Sequence, residues 1–151
     1  GKVEAVRYLT LERPPEGATT LSKGAKQAQR KREKYAVLWS AICKVAEWLD
    51  PEFYFTGFAI SHGFRGSPHI DNFDISYQWA LSLGEFVGGE LCVEVDPATV
   101  AVINTKGKAA KVDGRYPHWV APYQGDRYSV IIFKTRGEPS EKGPACFPAG
   151  R

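Results

Sequence analysis

The chain has three histidines, His62, His69 and His118, and two of them stand in company that could hold a metal. His69-Ile70-Asp71 is an H-x-D pair. On an extended segment alternate side chains share a face, so the imidazole and the carboxylate point toward a common centre. His118, from a distant segment, can complete the set. Two imidazoles and one carboxylate on one face of a metal leave its other positions open, the donor arrangement of non-haem Fe(II) oxygenases. A surface turn plus an unrelated histidine would give the same three residues, so the set needs context. His62 reads as an ordinary polar residue.

That context follows nine residues after His118. Pro122-Tyr123-Gln124-Gly125-Asp126 has the composition of a turn. It predicts a hairpin that lays the His118 strand beside the Arg127 strand. Arg127 and Ser129 then share a face, and a guanidinium fork plus a hydroxyl makes a carboxylate receptor. An open metal near such a receptor fits 2-oxoglutarate. Its keto-acid end would chelate iron, its far carboxylate would meet Arg127 and Ser129, and O2 would take the last position. The plainer alternative is that Arg127 is a surface arginine opening the last strand. Asn72 is either a turn former or a hydrogen-bonding partner of substrate or co-substrate. Tyr54 and Phe58 are core residues or line the co-substrate pocket. One of Tyr77 and Trp79, on one face by period two, is a candidate wall of the site. Trp119 and Tyr123 could stack on a planar substrate, as side chains do when a base is flipped out.

The elements that must position these residues follow from periodicity. Val3 to Leu11 reads as an edge strand, broken by Arg13-Pro14-Pro15. Ser22 is an N-cap candidate for one long helix. Behind it, Tyr35, Leu38, Trp39, Ile42, Val45, Ala46 and Leu49 recur at helical spacing and predict one buried stripe. Asp50-Pro51 ends the helix, since the residue before proline avoids helical angles. Its front carries Lys23, Lys26, Arg30, Lys31, Arg32 and Lys34, most simply a solvated face. Residues 53–60, 78–83, 90–95, 99–104 and 127–134 read as strands separated by Gly, Pro and Asp turns. One helix ahead of many short strands suggests a β-sandwich or barrel. The tail from Gly137 to Arg151 is expected to wind over the surface. A second basic group, Lys106, Lys108, Lys111 and Arg115, is expected near the mouth of the site, as solvated lysines or as phosphate contacts.

With 151 residues, 43% apolar and 25% charged, the chain fits one globular domain. Its formal net charge of +3 is compatible with a polyanionic partner. No apolar run reaches the roughly 18 residues of a membrane-spanning helix, and no signal-peptide core opens the chain. Three scattered cysteines, Cys43, Cys92 and Cys146, argue against a disulfide framework and a Cys-type zinc site. An intracellular location, nuclear if the partner is DNA, is therefore expected, and a monomer.

The runs His69-Ile70-Asp71-Asn72, Trp79 to Phe86 and Gly88-Gly89-Glu90-Leu91 resemble the 2-oxoglutarate/Fe(II) dioxygenase superfamily. So do Asp113 to His118 and Gly125-Asp126-Arg127-Tyr128-Ser129 through Phe133. The G-x-F-x-G-G-x-L and G-x-x-P-H…G-x-R-Y-S stretches are similar to its TET/JBP-like nucleobase oxygenase branch. The likeness spans about Phe53 to Arg136. It implies a mainly β fold, a double-stranded β-helix or jelly-roll at about 52–136, with the helix at about 20–50 packed on the larger sheet. His118 would open the seventh core strand and Arg127 the eighth. The cofactor would be Fe(II) at His69, Asp71 and His118, with 2-oxoglutarate on Arg127 and Ser129. The substrate would be a methyl group of 5-methylcytosine or thymine in DNA. The Cys-rich extension of TET enzymes has no counterpart here. Rival readings are a prolyl-type protein hydroxylase or small-molecule hydroxylase of the same chemistry, a non-catalytic jelly-roll binding module, and a cupin-like isomerase. Prolyl hydroxylases usually anchor 2-oxoglutarate with lysine rather than arginine, and cupins show a tighter histidine pair with a glutamate.

Overall fold

The computed structural model describes residues 3–17 and 20–146. In chain order its elements are β1 (Val3–Glu4), β2 (Arg7–Glu12), α1 (Lys23–Lys34), α2 (Ala36–Leu49), β3 (Gly57–His62), β4 (Arg65–Gly66), β5 (Gln78–Gly88), β6 (Leu91–Asp96), β7 (Thr99–Ile103), β8 (Ala109–Val112), β9 (His118–Val120) and β10 (Tyr123–Phe133). The fold is mainly β, with antiparallel sheets and two helices. The larger sheet has the order β2-β3-β10-β5-β8, a smaller one β7-β6-β9, and β1 pairs with β4.

Strand alternation divides the larger sheet into two chemically different faces. On β10, Arg127, Ser129, Ile131 and Phe133 point into a cavity. Val130 and Ile132 point the other way, into a core with Leu11, Phe58, Ile42 and Ala46. β3 repeats the pattern, with Ala59 and Ser61 inward and Phe58 and Ile60 on the helix side. Of the helical stripe, Tyr35, Leu38, Trp39, Ile42 and Ala46 do pack on the sheet, while Val45 and Leu49 remain half-buried. Trp39 stacks on Phe58 with ring centres 5.5 Å apart. Burying each large apolar side chain here contributes about 1.5–3 kcal/mol. A second cluster joins Ala80, Val112 and Ile131 of the larger sheet to Leu91 and Val93 of the smaller one. The sheets thus face each other, and the cavity lies between them.

Several expectations need correction. The helix is two helices: Tyr35 leaves helical angles at φ −111°, ψ 36° and sends its ring into the core. Ser22 does cap α1, accepting from the Ala25 N–H at 3.2 Å. The hairpin around Gly125 is absent. His118 opens β9, which pairs with β6 of the smaller sheet, while Arg127 lies within β10 of the larger one. Gln124-Gly125-Asp126 is strand, pairing with Val87, Phe86 and Glu85. Its glycine serves close approach instead of a turn: at φ +110°, a Cβ there would lie 2.3 Å from the Glu85 carbonyl oxygen. The tail is partly internal as far as Cys146. Ala145 is 2% exposed, and the Arg115 guanidinium ties Asp113 to the carbonyls of Ser140 and Glu141. The rest of the tail lies outside the described residues.

Candidate metal centre and anion receptor

Backbone hydrogen bonds bring the two ligand-bearing segments together. The His69 N–H donates to the His118 carbonyl at 3.1 Å, and the His118 N–H returns the bond to His69 at 2.9 Å. The Asp71 N–H donates to the Gly114 carbonyl at 2.8 Å. His69, Asp71 and His118 each present one donor atom, and the three lie within 4.8 Å of one another. The expected convergence is therefore present.

Each ring is oriented from behind. His118 Nδ1 sits 2.8 Å from the Tyr116 carbonyl, and His69 Nδ1 sits 3.1 Å from that of Ser67. A carbonyl can only accept, so Nδ1 carries the proton in each neutral ring and Nε2 keeps its lone pair. The two Nε2 atoms face Asp71, His118 at 3.4 Å from Oδ2 and His69 at 3.8 Å from Oδ1. Burial pulls the His118 pKa down, but the hydrogen bond and charge of Asp71 outweigh it and leave a net upward shift. Burial, then the charge of Asp71, push Asp74 up to about 7. The cluster thus concentrates negative charge and two lone pairs at one point, which suits a divalent cation.

The same cavity, of about 670 Å³, is lined by Arg127 and Ser129. Arg127 is 3% exposed, and its Nε and Nη1 donate to no acceptor among the described residues. Burial lowers its pKa. Its guanidinium lies 5.5 Å from the Phe86 ring centre and 5.6 Å from that of Tyr123. Leaving buried donors unpaired costs about 1–3 kcal/mol each, so this cation is set up for an anion that enters the cavity. The Ser129 hydroxyl is 2.5 Å from that of Ser61, its partner across β3. The residues present therefore fit both a metal and a carboxylate.

The remaining candidates divide. Asn72 and Trp119 line the cavity. Tyr123 instead packs beside Arg127, its hydroxyl donating to the Phe64 carbonyl at 3.0 Å, so it offers no face to a substrate. Tyr77 and Trp79 share a face as expected, but it is the helix-side face. Both donate to the Asp50 carboxylate that ends α2, at 2.8 and 3.2 Å. Tyr54 lies outside the cavity, bonded to Glu16 with the Arg13 guanidinium over its ring. Tyr54, Tyr77, Trp79 and Tyr123 are thus not site walls. In the second basic group, Lys106 and Lys108 are exposed, and three of the four side chains have protein partners. Lys106 donates to the Phe86 carbonyl at 2.9 Å, Lys111 lies over Tyr77, and Arg115 is held by Asp113. Reading the sequence alone missed Ser61, Asp74, Gln78, Tyr8 and Phe73, all of which line the cavity. Phe73, 83% exposed, and Tyr8, 60% exposed, form an aromatic lip. Only the spacing of Asp74 from Asp71 carried a signal.

A scan of protein-family models finds no match to this chain, and a comparison with curated proteins finds none either. Among solved structures, NgTET1 in complex with 5mC DNA is similar to the chain. The likeness has 21% identity over 58% of this chain and 36% of that one, with a TM-score of 0.37. The matched region thus spans about a third of that protein's length.

Proposed function

We propose that this protein is an Fe(II)- and 2-oxoglutarate-dependent dioxygenase with a jelly-roll core. The observation that carries the reading is one cavity holding both the His69–Asp71–His118 cluster and the buried cation of Arg127, two of whose nitrogens meet no acceptor among the described residues. A structural metal site would need no anion receptor in the same cavity, and a plain anion-binding pocket would need no metal cluster.

His69 and His118 would hold the metal through Nε2, with Asp71 supplying the compensating charge. Arg127 and Ser129 would bind the far carboxylate of the co-substrate, and Ser61 would orient the Ser129 hydroxyl. When bound, iron and 2-oxoglutarate supply oxidative decarboxylation to succinate and CO2, coupled to hydroxylation of a C–H bond of the substrate. The protein's part is orientation, charge matching and exclusion of water by the walls of Ala80, Leu91 and Ile131.

For the substrate, we infer a methylated pyrimidine in DNA. Two features support this. Six basic residues against the single acidic Glu33 give α1 a charge of +5, more than the whole chain carries. α1 also flanks the cavity: Thr10 and Glu12 line it and also border the groove beside Gly24, Gln27 and Lys31. Phosphates could run along α1 while an unstacked base passes the lip of Tyr8 and Phe73. Anaerobic titration with Fe(II) and then 2-oxoglutarate tests the first reading, with a visible charge-transfer band expected in the parent and none in Asp71→Ala. Incubation with methylated DNA, followed by digestion to nucleosides and mass analysis, tests the second. Succinate formation on a peptide or metabolite, with DNA left unoxidised, would replace the nucleobase reading with a protein or small-molecule hydroxylase.

A further inference from the structure

Behind the metal cluster lies a residue that sequence spacing did not flag. Gln78 opens β5 and is 2% exposed, a long amide side chain buried in the wall of the cavity. With its amide nitrogen turned toward the site it reaches two carboxylates, Asp74 Oδ2 at 3.2 Å and Asp71 Oδ2 at 3.3 Å. The opposite orientation would set the amide oxygen against both acceptors, so hydrogen-bond chemistry selects the first. One –NH2 group has two hydrogens, and here each has its own carboxylate.

We propose that Gln78 is the positioning residue of the metal centre, its amide bridging Asp71 and Asp74 and fixing the Asp71 carboxylate toward the two histidines. Three geometric facts support it. Asp71 Oδ2, the atom Gln78 holds, is also the oxygen nearest His118 Nε2. The Asp74 N–H donates to the Asp71 carbonyl at 3.2 Å, which closes a tight turn and brings the second carboxylate in. Gly114 leaves the space: a Cβ there would lie 2.6 Å from Asp71 Oδ2, 2.9 Å from the Gln78 amide and 3.0 Å from Asp74 Oδ2. Without the bridge, Asp71 would lose a buried amide donor fixed by the sheet and would be free to rotate away. Residues of this kind, which orient a ligand without touching the metal, typically control 10–100-fold in metal affinity.

This rests on the metal site proposed above, and the test separates the two. Mn(II) binding to the metal-free protein is measured by calorimetry, and Co(II) binding by its visible ligand-field spectrum. Parent, Gln78→Met and Gln78→Asn are compared, each with its thermal midpoint. Methionine keeps the length and loses the donors. Asparagine keeps the amide but falls one methylene short of spanning both carboxylates. The expected result is a 10–100-fold loss of Mn(II) affinity and an altered Co(II) spectrum in both variants, with Gln78→Asn folding like the parent. If Gln78→Met does not fold, Gln78→Asn decides alone. Parent-like affinity and spectrum in a folded variant overturn the role of Gln78 and leave the metal site standing. A parent that binds neither ion overturns both.

Discussion

Replacing Arg127 by methionine should uncouple ligand binding from stability. Two of its buried nitrogens have no protein acceptor, which at about 1–3 kcal/mol each is roughly 2–6 kcal/mol held against the folded state. Its contacts over Phe86 and Tyr123 return about 0.5–2 kcal/mol apiece. Methionine follows the same path between the rings with no donor to satisfy. The metal-free variant should therefore be as stable as the parent or about 1 kcal/mol more stable, a rise of about 2–4 °C for a chain of this size. Binding of 2-oxoglutarate should fall by about 2–5 kcal/mol, roughly 30-fold to several thousand-fold, because a charge pair loses one side. Differential scanning fluorimetry reads both effects. Ligand at a hundredfold excess over the parent Kd adds about 2.7 kcal/mol to the parent and at most about 0.9 kcal/mol to the variant. The reasoning fails if Arg127→Met unfolds well below the parent, or if 2-oxoglutarate shifts both midpoints equally.

Gly114→Ala should abolish metal binding while leaving secondary structure intact, since the first atoms its Cβ would meet are side-chain ends of Asp71, Gln78 and Asp74 rather than backbone; calorimetry with Mn(II) and circular dichroism check the two halves. Asp74 is raised to about 7 by burial and by Asp71. The metal-free fold is favoured most below the ordinary carboxylate value, and that contribution is lost as pH rises through about 7. Asp74→Asn should flatten this decline in a urea-unfolding series from pH 4 to 8, and an unchanged slope would exclude it. Asp113 has the opposite sign. Burial alone would raise its pKa, but the Arg115 hydrogen bond and backbone N–H donors bring it below the ordinary carboxylate value. Its stabilisation is full above that value and fades as pH falls further, so Asp113→Asn at neutral pH should cost about 1–3 kcal/mol by removing the charge partner of Arg115, which keeps its bonds to Ser140 and Glu141; equal denaturation midpoints would contradict it.

The candidate metal and anion site was legible through the combination of its residues, no one of which was decisive alone. An H-x-D pair and a distant histidine are donors of the right type, and Arg127 with Ser129 two residues on is a matching anion receptor. Strands β2, β3, β5 and β10 of the larger sheet and the capped start of the helical segment were legible from periodicity, whereas β8 (Ala109–Val112) was not. What period two cannot give is which face of a strand looks inward. Tyr77 and Trp79 share a face with each other, yet the Asp50 carboxylate at the end of α2 claims both, a contact from 27 and 29 residues away. Gly125 was illegible for a related reason. Turn glycines and close-approach glycines are the same letter, and only the pairing of Gly125 with Phe86 and the nearby Gly84 distinguishes them. The break at Tyr35 has no glycine or proline to announce it.

The paired hydrogen bonds between His69 and His118 have a thermodynamic consequence for when metal enters. They tie a chain loop of 49 residues, the separation of the two histidines. Closing such a loop carries an entropic penalty of roughly 3 kcal/mol or more. Here backbone ladders and two sheets would meet that penalty without help from an ion. An ion bound at the proposed site would therefore meet a preformed chelator, in contrast to small metal-nucleated domains that stay unfolded without it. Chelating agents should strip it without melting the protein, and reloading should follow simple bimolecular kinetics with no slow refolding phase. The metal found in the isolated protein would then reflect which ions were available to a ready-made cage, instead of which ion had guided the chain to its fold.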